Sequence, residues 1–383
     1  MIEKLPVALA EKLAQREADN ALRIPGIVDQ GMADFSSNDY LGLAASEELF
    51  EATHTYLIEN KVASSGATGS RLISGNHKLY NVAEKYIAHF HQADSALIFN
   101  SGYDANVGFF SSVPQKGDVV LYDEYIHASI RDGLRLGGAT AYKFAHNDRE
   151  SLLKLVERHR PKAQELYIVT ESVFSMDGDT PNLNAFVDVA KMYRCRLVVD
   201  EAHAVGVFGE NGQGLLQAYG LQDEIFARLV TFGKALGCHG AAVLGSEGLT
   251  QYLANFARSF IYTTALPPHS LAAIISGYKL LESQPQRLTQ LHDITMHFKW
   301  ETERCNLKFI LSFSTIHCIV IQGNGRAKKI ASLLQRAGYS VKAILAPTVP
   351  AGQERLRFCV HSFNTKREIS AMMDILTQAL RFS

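Results

Sequence analysis

The chain has 383 residues, and its 38 Lys and Arg nearly balance its 39 Asp and Glu, which leaves a formal net charge of -1. This balance removes the electrostatic case for nucleic-acid binding. With 47% hydrophobic and 20% charged residues, the composition is that of a folded chain with a sizeable core rather than a disordered one. The length exceeds what one core normally organises, so we expect a large domain and a smaller one.

The N-terminal residues and the cysteines indicate a protein of the cytoplasm. Residues 1–20 place apolar side chains among charged ones at helical spacing, which predicts an amphipathic helix and not a signal peptide. The most apolar later stretch, residues 265–278, contains two prolines and is shorter than the ~20 apolar residues of a membrane span. The five cysteines are scattered and never have CxxC spacing, so we expect neither disulfides nor a zinc site.

Seven short runs rich in β-branched and aromatic residues follow one another through the middle of the chain. Helical periodicity between most of them predicts a mainly parallel sheet with helices on both faces. In such a sheet the functional loops follow the carboxyl ends of the strands. The runs are SALIF (95–99), DVVLY (118–122), TAYKF (140–144), ELYIV (165–169), RLVV (196–199), RLVTF (228–232) and AAVLG (241–245).

The two ends of the chain differ in character from this central region. We expect an N-terminal arm over residues 1–47, a large α/β domain over 48–280 and a small α+β domain over 281–383. In the last, the pattern predicts helices over 327–338 and 365–380. It also predicts strands within HFKWETERCNLKFI (297–310), IHCIVIQG (316–323) and RLRFCVH (355–361).

Polar groups follow several of the predicted strands. Asp200 leaves the strand RLVV with His203 three residues on, and Lys234 follows RLVTF in the glycine-flanked loop Gly233–Gly237. An isolated acid of this kind most often caps a turn, and an isolated lysine is most often a solvated surface charge. Glycines on both sides, however, leave the amine unobstructed, as a lysine that forms a Schiff base requires.

Three further strands end in comparable loops. SALIF runs into NSGYDAN (100–106), a glycine turn that opens a helix and so favours a phosphate; DVVLY and ELYIV run into DEYIH (123–127) and TESVFSMDGD (170–179). A phosphate cradle, an aromatic base, a hydroxyl, a carboxylate and a lysine at one sheet edge are the groups that pyridoxal 5'-phosphate needs. The fingerprints GxGxxG, GxxxxGK[ST] and HExxH are absent from the sequence.

With these motifs in place, the chain resembles the pyridoxal-phosphate-dependent α-oxoamine synthases over nearly its whole length. The resemblance implies an α/β protein of fold type I, the aspartate-aminotransferase-like fold, with a mainly parallel seven-stranded sheet, and a homodimer with shared active sites. The motifs include SSNDYLGL (36–43), FAHND (144–148), VDEAHAVGVFGENGQG (199–214), VTFGKALGCHGAAVLGS (230–246), IYTTALPP (261–268) and APTVPAGQERLRF (346–358).

The resemblance also implies roles for individual residues. Lys234 matches the lysine that holds the cofactor as a Schiff base, Asp200 the acid paired with the pyridinium nitrogen, and His127 the histidine stacked on the ring. His127 is also a candidate donor to the oxyanion of the acylation step. Further positions that match cofactor contacts are Gly102, Tyr103, Ser175, His203 and Thr231.

Four other residues match substrate contacts. Arg357 corresponds to the clamp for the amino-acid carboxylate, a bidentate task that lysine performs poorly. Arg23 and Thr348 match positions that contact the acyl substrate, and Asn38 a position near the Schiff base. No metal site is expected.

The implied reaction is a decarboxylative condensation of an amino acid with an acyl thioester. The motifs most resemble the 8-amino-7-oxononanoate synthases, which use L-alanine and pimeloyl-CoA or pimeloyl carrier protein in biotin biosynthesis. A glycine C-acetyltransferase, or another member with a different acyl-CoA, is the alternative. One departure bears on this choice, since residues 344–348 read ILAPT where an arginine is expected in an IRPPT-like run. A non-catalytic partner subunit is disfavoured because Lys234 is present.

Overall fold

The computed structural model describes residues 5–25 and 31–381, and the chain divides into two compact units. The large unit comprises residues 38–175 and 179–291, and the small unit comprises residues 1–37, 176–178 and 292–383. The domain boundaries expected at 47 and 280 stay a prediction. Among the described residues, no helix combines the length and the apolar character that crossing a membrane requires.

Helices and strands alternate through the large unit, whereas the small unit contains short strands and long helices. A 3₁₀ turn covers residues 222–224. In chain order the elements are α1 (Val7–Ala18), β1 (Ala33–Asp34), α2 (Glu47–Glu59), α3 (Lys78–Phe90), β2 (Ser95–Phe99), α4 (Gly102–Ser112), β3 (Val119–Asp123), α5 (Ala128–Leu136), β4 (Thr140–Phe144), α6 (Arg149–His159), β5 (Leu166–Glu171), α7 (Leu183–Tyr193), β6 (Arg196–Asp200), α8 (Leu215–Ala218), β7 (Ala227–Thr231), β8 (Ala241–Gly245), α9 (Glu247–Phe256), α10 (Arg258–Ile261), α11 (Pro268–Ser283), α12 (Pro285–Arg304), β9 (Ile316–Val320), α13 (Asn324–Arg336), β10 (Tyr339–Ser340), β11 (Lys342–Ile344), β12 (Arg355–Cys359) and α14 (Lys366–Arg381).

The large unit is built on the predicted seven-stranded sheet, with the strand order β2-β8-β7-β6-β5-β3-β4. Only β8 runs antiparallel to its neighbours, and the other pairs are parallel. The register places Glu171 opposite Asp200 at the carboxyl ends of β5 and β6. The mainly parallel sheet of the fold type I prediction is thereby confirmed.

Burial on both faces explains why the central strands are continuously apolar. All six residues of β5 are buried, and so are the last four residues of β6. On one face the strand side chains pack against α4, α5, α9 and α10 in a core that contains Phe109, Ile130 and Val169. Each Å² of apolar surface buried in this core stabilises the folded state by about 25 cal/mol. This burial is the main force that holds the strand ends in place.

The small unit has a core of its own around an antiparallel three-stranded sheet of order β11-β12-β9. Helices α13 and α14 and the second half of α12 contribute to that core, and Phe298, Leu334 and Met372 are fully buried in it. Strand β1 pairs in parallel with β10 as a separate two-stranded sheet.

The strand expected within residues 297–310 is wrong for most of that segment. Residues up to Arg304 continue helix α12, and an isolated bridge at Phe309 is the extended part that follows. Ile294 and Phe298 are spaced four residues apart and both face the core, so the period is helical. The aromatic residues Phe298 and Trp300, which favour strands by propensity, made the segment resemble one.

Candidate active site

One cavity of about 210 Å³ lies at the carboxyl edge of the large sheet. Its walls come from the ends of β6 and β7, the last residue of β5, the start of α4 and the loops after β3 and β7, all within the large unit. The seven predicted cofactor residues that line it are Gly102, Tyr103, His127, Asp200, His203, Thr231 and Lys234. Sequence reasoning gave no role to the remaining lining residues, Ala105, Asn106, Glu171, Ala202, Leu229 and Val230.

Asp200 is the last residue of β6, and its carboxylate is held at both oxygens. Oδ1 accepts the backbone N–H of Ala202 at 2.9 Å, and Oδ2 accepts the side-chain N–H of Asn106 at 2.9 Å. The carboxylate is 6% exposed and lines the cavity. Asp200 is therefore an oriented acid that accepts a hydrogen bond at each oxygen.

Glu171 brings a second acid to the same wall, beside Asp200 in the sheet register. Burial, followed by the neighbouring charge of Asp200, raises its pKa well above the ordinary value, while Lys234 acts in the opposite direction. Its Oε1 accepts the backbone N–H of His127 at 2.6 Å. Glu171 thus anchors the loop that carries His127, a role that the motif TESVF did not reveal.

His127 caps helix α5 with its own ring. Nδ1 lies 3.3 Å from the backbone N–H of Ser129 and 2.7 Å from its hydroxyl. Partial loss of hydration lowers the pKa of His127, and the charge of Lys234 adds to that effect while Asp200 opposes it. Because Nδ1 accepts a backbone N–H, the neutral ring carries its proton on Nε2, which makes Nε2–H the donor.

His203 is fixed by the N-terminal motif SSNDYLGL. The hydroxyl of Tyr40, which is fully buried, lies 2.7 Å from Nδ1 of His203 and 3.2 Å from Oδ1 of Asn38. Asn38 was expected near the reacting centre, and the structure connects it to the cavity wall through Tyr40. Tyr40 itself was not singled out by the sequence.

Lys234 lies in a tight turn directly after β7. The backbone N–H of Gly237 donates to the carbonyl of Lys234 at 2.9 Å and closes the turn. Gly237 has a φ of 61°, and a Cβ there would come within 2.2 Å of the backbone nitrogen of Ala44. Only glycine therefore fits this position, and it holds the lysine at the cavity.

The start of helix α4 forms the wall next to Thr231. Ser101 caps the helix by accepting the N–H of Asp104 at 3.1 Å, so the helix begins at Gly102 with its N-terminus at the cavity. A Cβ on Gly102 would lie 3.8 Å from the side chain of Thr231, so these two residues face each other closely. The positive end of the helix dipole and the Thr231 hydroxyl suit a phosphate.

Two other predicted cofactor residues have different surroundings. Ser175 does not belong to the residues that line the cavity. Tyr103 lines it but is half-exposed, and its hydroxyl donates to Asp132 at 2.8 Å, a bond that raises the pKa of Tyr103. Because its hydroxyl is bonded to Asp132, Tyr103 contributes its ring rather than its hydroxyl to the cavity.

The remaining predicted substrate residues belong to the small unit. Arg23 donates to the hydroxyl of Thr348 at 3.1 Å, so the structure pairs the two residues expected to contact the acyl substrate. Arg357 lies on β12, the central strand of the three-stranded sheet, where it pairs with Lys342 and Cys318. Arg355, two residues earlier, is buried in an ion pair with Asp177.

Comparison with known proteins agrees with this constellation of side chains. The model of the aminotransferase class I and II family matches residues 30–375. The chain belongs to this family. It is 39% identical to an 8-amino-7-oxononanoate synthase of Emericella nidulans, over 98% of this chain and 95% of that protein. A putative 8-amino-7-oxononanoate synthase of Geobacillus kaustophilus is also 39% identical, over 97% of this chain and 94% of that one.

Solved structures of related enzymes have the same fold. A serine palmitoyltransferase of S. paucimobilis superimposes with a TM-score of 0.89 at 26% identity, covering 98% of this chain and 97% of that one. An 8-amino-7-oxononanoate synthase of Francisella tularensis superimposes with a TM-score of 0.78 at 30% identity, covering 92% of this chain and 99% of that one. The protein is accordingly a pyridoxal-phosphate-dependent acyltransferase of the α-oxoamine synthase group.

The residues of the cavity fit this cofactor. Lys234 offers an amine, Asp200 a doubly hydrogen-bonded carboxylate, and the start of α4 with Thr231 an anion site. The amide oxygen of Asn106 is buried in the cavity wall without a hydrogen-bond partner among the described residues. A polar atom left in this way is expected where a wall is shaped for a bound polar group.

Proposed function

We propose that the protein condenses L-alanine with pimeloyl-CoA or pimeloyl carrier protein to 8-amino-7-oxononanoate, releasing CO₂ and the free thiol. The observation that carries this proposal is the 39% identity to 8-amino-7-oxononanoate synthases over 98% and 97% of the chain. Serine palmitoyltransferase is closer by TM-score, at 0.89, but shares only 26% of the residues. Substrate choice depends on side chains more than on backbone similarity, so the higher sequence identity supports the oxononanoate synthase assignment.

The bonds that form and break in this reaction lie at the α-carbon of alanine and at the thioester. A carbon–carbon bond forms between that carbon and the thioester carbonyl, while the carbon–sulfur bond and the bond to the alanine carboxylate break. The α-proton is removed before the first step, and a proton returns to the same carbon after CO₂ leaves. Bound pyridoxal phosphate supplies the electron sink that delocalises negative charge at this carbon.

Three side chains of the cavity have different roles in this reaction. Lys234 lies in the cavity as the amine that accepts the α-proton and later returns one. Asp200, held by its two hydrogen-bond donors, would pair with the nitrogen of the cofactor ring and stabilise positive charge there. His127, neutral with its proton on Nε2, donates to the oxygen on which charge develops when the thioester carbonyl is attacked.

The resemblance to the family implies the proposed contacts to the carboxylate and the acyl chain. We assign the carboxylate of alanine to Arg357, whose planar guanidinium forms two parallel hydrogen bonds with such a group. Arg23 and Thr348 already pair with each other, so a substrate that binds there competes for a guanidinium that is held in place. The arginine expected near residue 345 is absent, so the acyl chain length or the carrier that this protein prefers can differ from those of the related enzymes.

Thiol release tests the substrate assignment. The purified protein, loaded with pyridoxal phosphate, is given L-alanine, glycine or L-serine, each with pimeloyl-CoA, acetyl-CoA or palmitoyl-CoA, and the product is identified by mass. Turnover confined to alanine with pimeloyl-CoA supports the proposal. Preference for glycine with acetyl-CoA establishes the C-acetyltransferase alternative, and preference for serine with palmitoyl-CoA refutes both. Pimeloyl carrier protein in a parallel assay identifies the physiological donor.

We further propose that the protein acts as a homodimer. Large apolar side chains of the large unit are exposed in the isolated chain, among them Leu72 at 56%, Ile73 at 86% and Tyr262 at 72%. Exposed apolar side chains of this size favour burial against a partner. Light scattering during gel filtration should give about twice the mass of one chain, and a monomer mass at micromolar concentration would refute this part of the proposal.

A further inference from the structure

Asn106 lies in the wall of the cavity and has no role in the reaction proposed above. It lies in the second turn of α4, is only 3% exposed, and lines the cavity beside Asp200. Its Nδ2 donates to Oδ2 of Asp200 at 2.9 Å, across 94 residues of sequence. Its Oδ1 has no hydrogen-bond partner among the described residues.

The orientation of the amide follows from the charge of Asp200. If the amide were turned around, its oxygen would face a carboxylate that can only accept, and the two oxygens would repel each other. The amide nitrogen can only donate, so this contact exists with full strength only when Asp200 is ionised. Asn106 is neutral and therefore adds no charge that would attract the proton of the cofactor ring.

A donor of this kind is needed here because the wall also contains Glu171. Two buried acids in neighbouring register positions repel each other when both are charged, so the placement of each depends on its own hydrogen-bond donors. Asp200 has donors at both oxygens, whereas burial raises the pKa of Glu171 well above its ordinary value. The side chain of Asn106 provides the difference at Oδ2.

We propose that Asn106 is a positioning residue that holds the Asp200 carboxylate oriented toward the cavity, so that the ring nitrogen of bound pyridoxal phosphate stays protonated. The proposal rests on the role assigned to Asp200 above. Helix α4 would then have two roles. Its N-terminus favours the phosphate, and one turn later Asn106 positions Asp200 for the ring nitrogen.

The test uses cofactor labelled with ¹⁵N in the ring. Wild-type holoenzyme, Asn106→Leu and the control Ser112→Ala are compared by the ¹⁵N chemical shift of the ring nitrogen and by the dissociation constant of pyridoxal phosphate. Leucine has the same branched heavy-atom skeleton as asparagine but no donor. Ser112 lies on the same helix and is buried, and its hydroxyl donates to the carbonyl of Gly108.

In the leucine variant we expect the ¹⁵N shift to move toward that of an unprotonated ring and the affinity for the cofactor to fall about 10- to 100-fold, the usual effect of losing a hydrogen bond to a charged group. The serine control should match the wild type. In an Asp200→Asn background the Asn106→Leu change should add no further shift, because the two residues act through one bond.

An unchanged ¹⁵N shift in Asn106→Leu, with or without loss of affinity, would overturn the proposal, since a purely structural role predicts that result. Asn106→Ala replaces the leucine variant if that protein does not fold, and the same two results decide. An unprotonated ring in the wild type would instead refute the role of Asp200 itself, so the two failures are distinguishable.

Discussion

The hydroxyl of Tyr40 lies 2.7 Å from Nδ1 of His203, joining the motif SSNDYLGL to the turn that follows β6. The Tyr40 ring is fully buried, and its hydroxyl also contacts Oδ1 of Asn38. A segment far away in sequence thus controls the orientation of a cavity histidine. This contact explains why a turn-rich motif near the N-terminus accompanies the site.

Replacing Tyr40 by phenylalanine should destabilise the protein by about 1–3 kcal/mol, because the buried Nδ1 of His203 loses the hydroxyl. We also expect the His203 ring resonances to change in NMR spectra. Urea denaturation of Tyr40→Phe and of Tyr219→Phe, an exposed tyrosine, measures the effect. Equal stability of the two variants would show that the Tyr40 hydroxyl contributes nothing.

His146 should make the stability of the large unit depend on pH. It lies between Asp123, at 2.9 Å from Nδ1, and Asp179, at 2.7 Å from Nε2. Burial alone would lower the pKa of His146, but the two carboxylates outweigh it and raise the pKa to about 9. A raised folded-state pKa means that the stabilisation is complete below the unfolded value of about 6.5 and disappears as pH rises through 9.

The free energy of unfolding should therefore decrease by about 3 kcal/mol between pH 6 and pH 10 through this residue. Urea denaturation at several pH values measures it, and His146→Gln is the matched control. We expect the difference between the two proteins to vanish at high pH. A difference that is constant with pH would mean that His146 is not charged in the folded protein.

Ser129 should add to the effect of burial, which lowers the pKa of His127. Its hydroxyl and backbone N–H both face Nδ1, so they favour the neutral ring. In Ser129→Ala the hydroxyl is lost, and the pKa of His127 should rise from its lowered value. An NMR titration of the ring, with His127→Gln for assignment, measures the change. A pKa that falls or stays constant would contradict the assigned tautomer.

Glu201 and Arg228 form a buried ion pair in the large unit, with 2.5 Å between Oε2 and Nη2. Glu201 follows Asp200 directly, and its Oε1 accepts the N–H groups of Leu215 and Leu216. Arg228→Met should cost about 3–5 kcal/mol because it leaves a buried carboxylate without its cation. The double variant with Glu201→Gln should recover part of this loss, and equal losses in both proteins would argue against the ion pair.

Much of the large unit could be predicted because its strands are buried on both faces. Continuous apolar runs such as residues 166–169 have no alternative place in a folded chain, and polar residues directly after such runs must gather at one sheet edge. Asp200 and Lys234 were located by that rule alone. The resemblance supports their roles as the lysine that holds the cofactor and the acid paired with its ring nitrogen, and these roles are proposals.

The partners of these residues could not be predicted in the same way. The contact of Asn106 with Asp200 spans 94 residues and that of Tyr40 with His203 spans 163, and no local pattern encodes which distant side chain a helix or loop will meet. Asn106 and Glu171 lie inside motifs that the sequence analysis had noted. A polar residue one helical turn after the glycine that begins α4 is the signal that could have indicated Asn106. Within residues 297–304, aromatic composition outweighed the helical period and produced the wrong prediction.

The most direct test of the account is to identify the lysine that holds the cofactor. The holoenzyme is treated with borohydride, which makes the link between lysine and pyridoxal phosphate permanent, and digested peptides are then mapped by mass. We predict a single modified peptide containing Lys234, and none in Lys234→Ala. Modification of a different lysine in the wild type would contradict the assignment of this cavity as the active site.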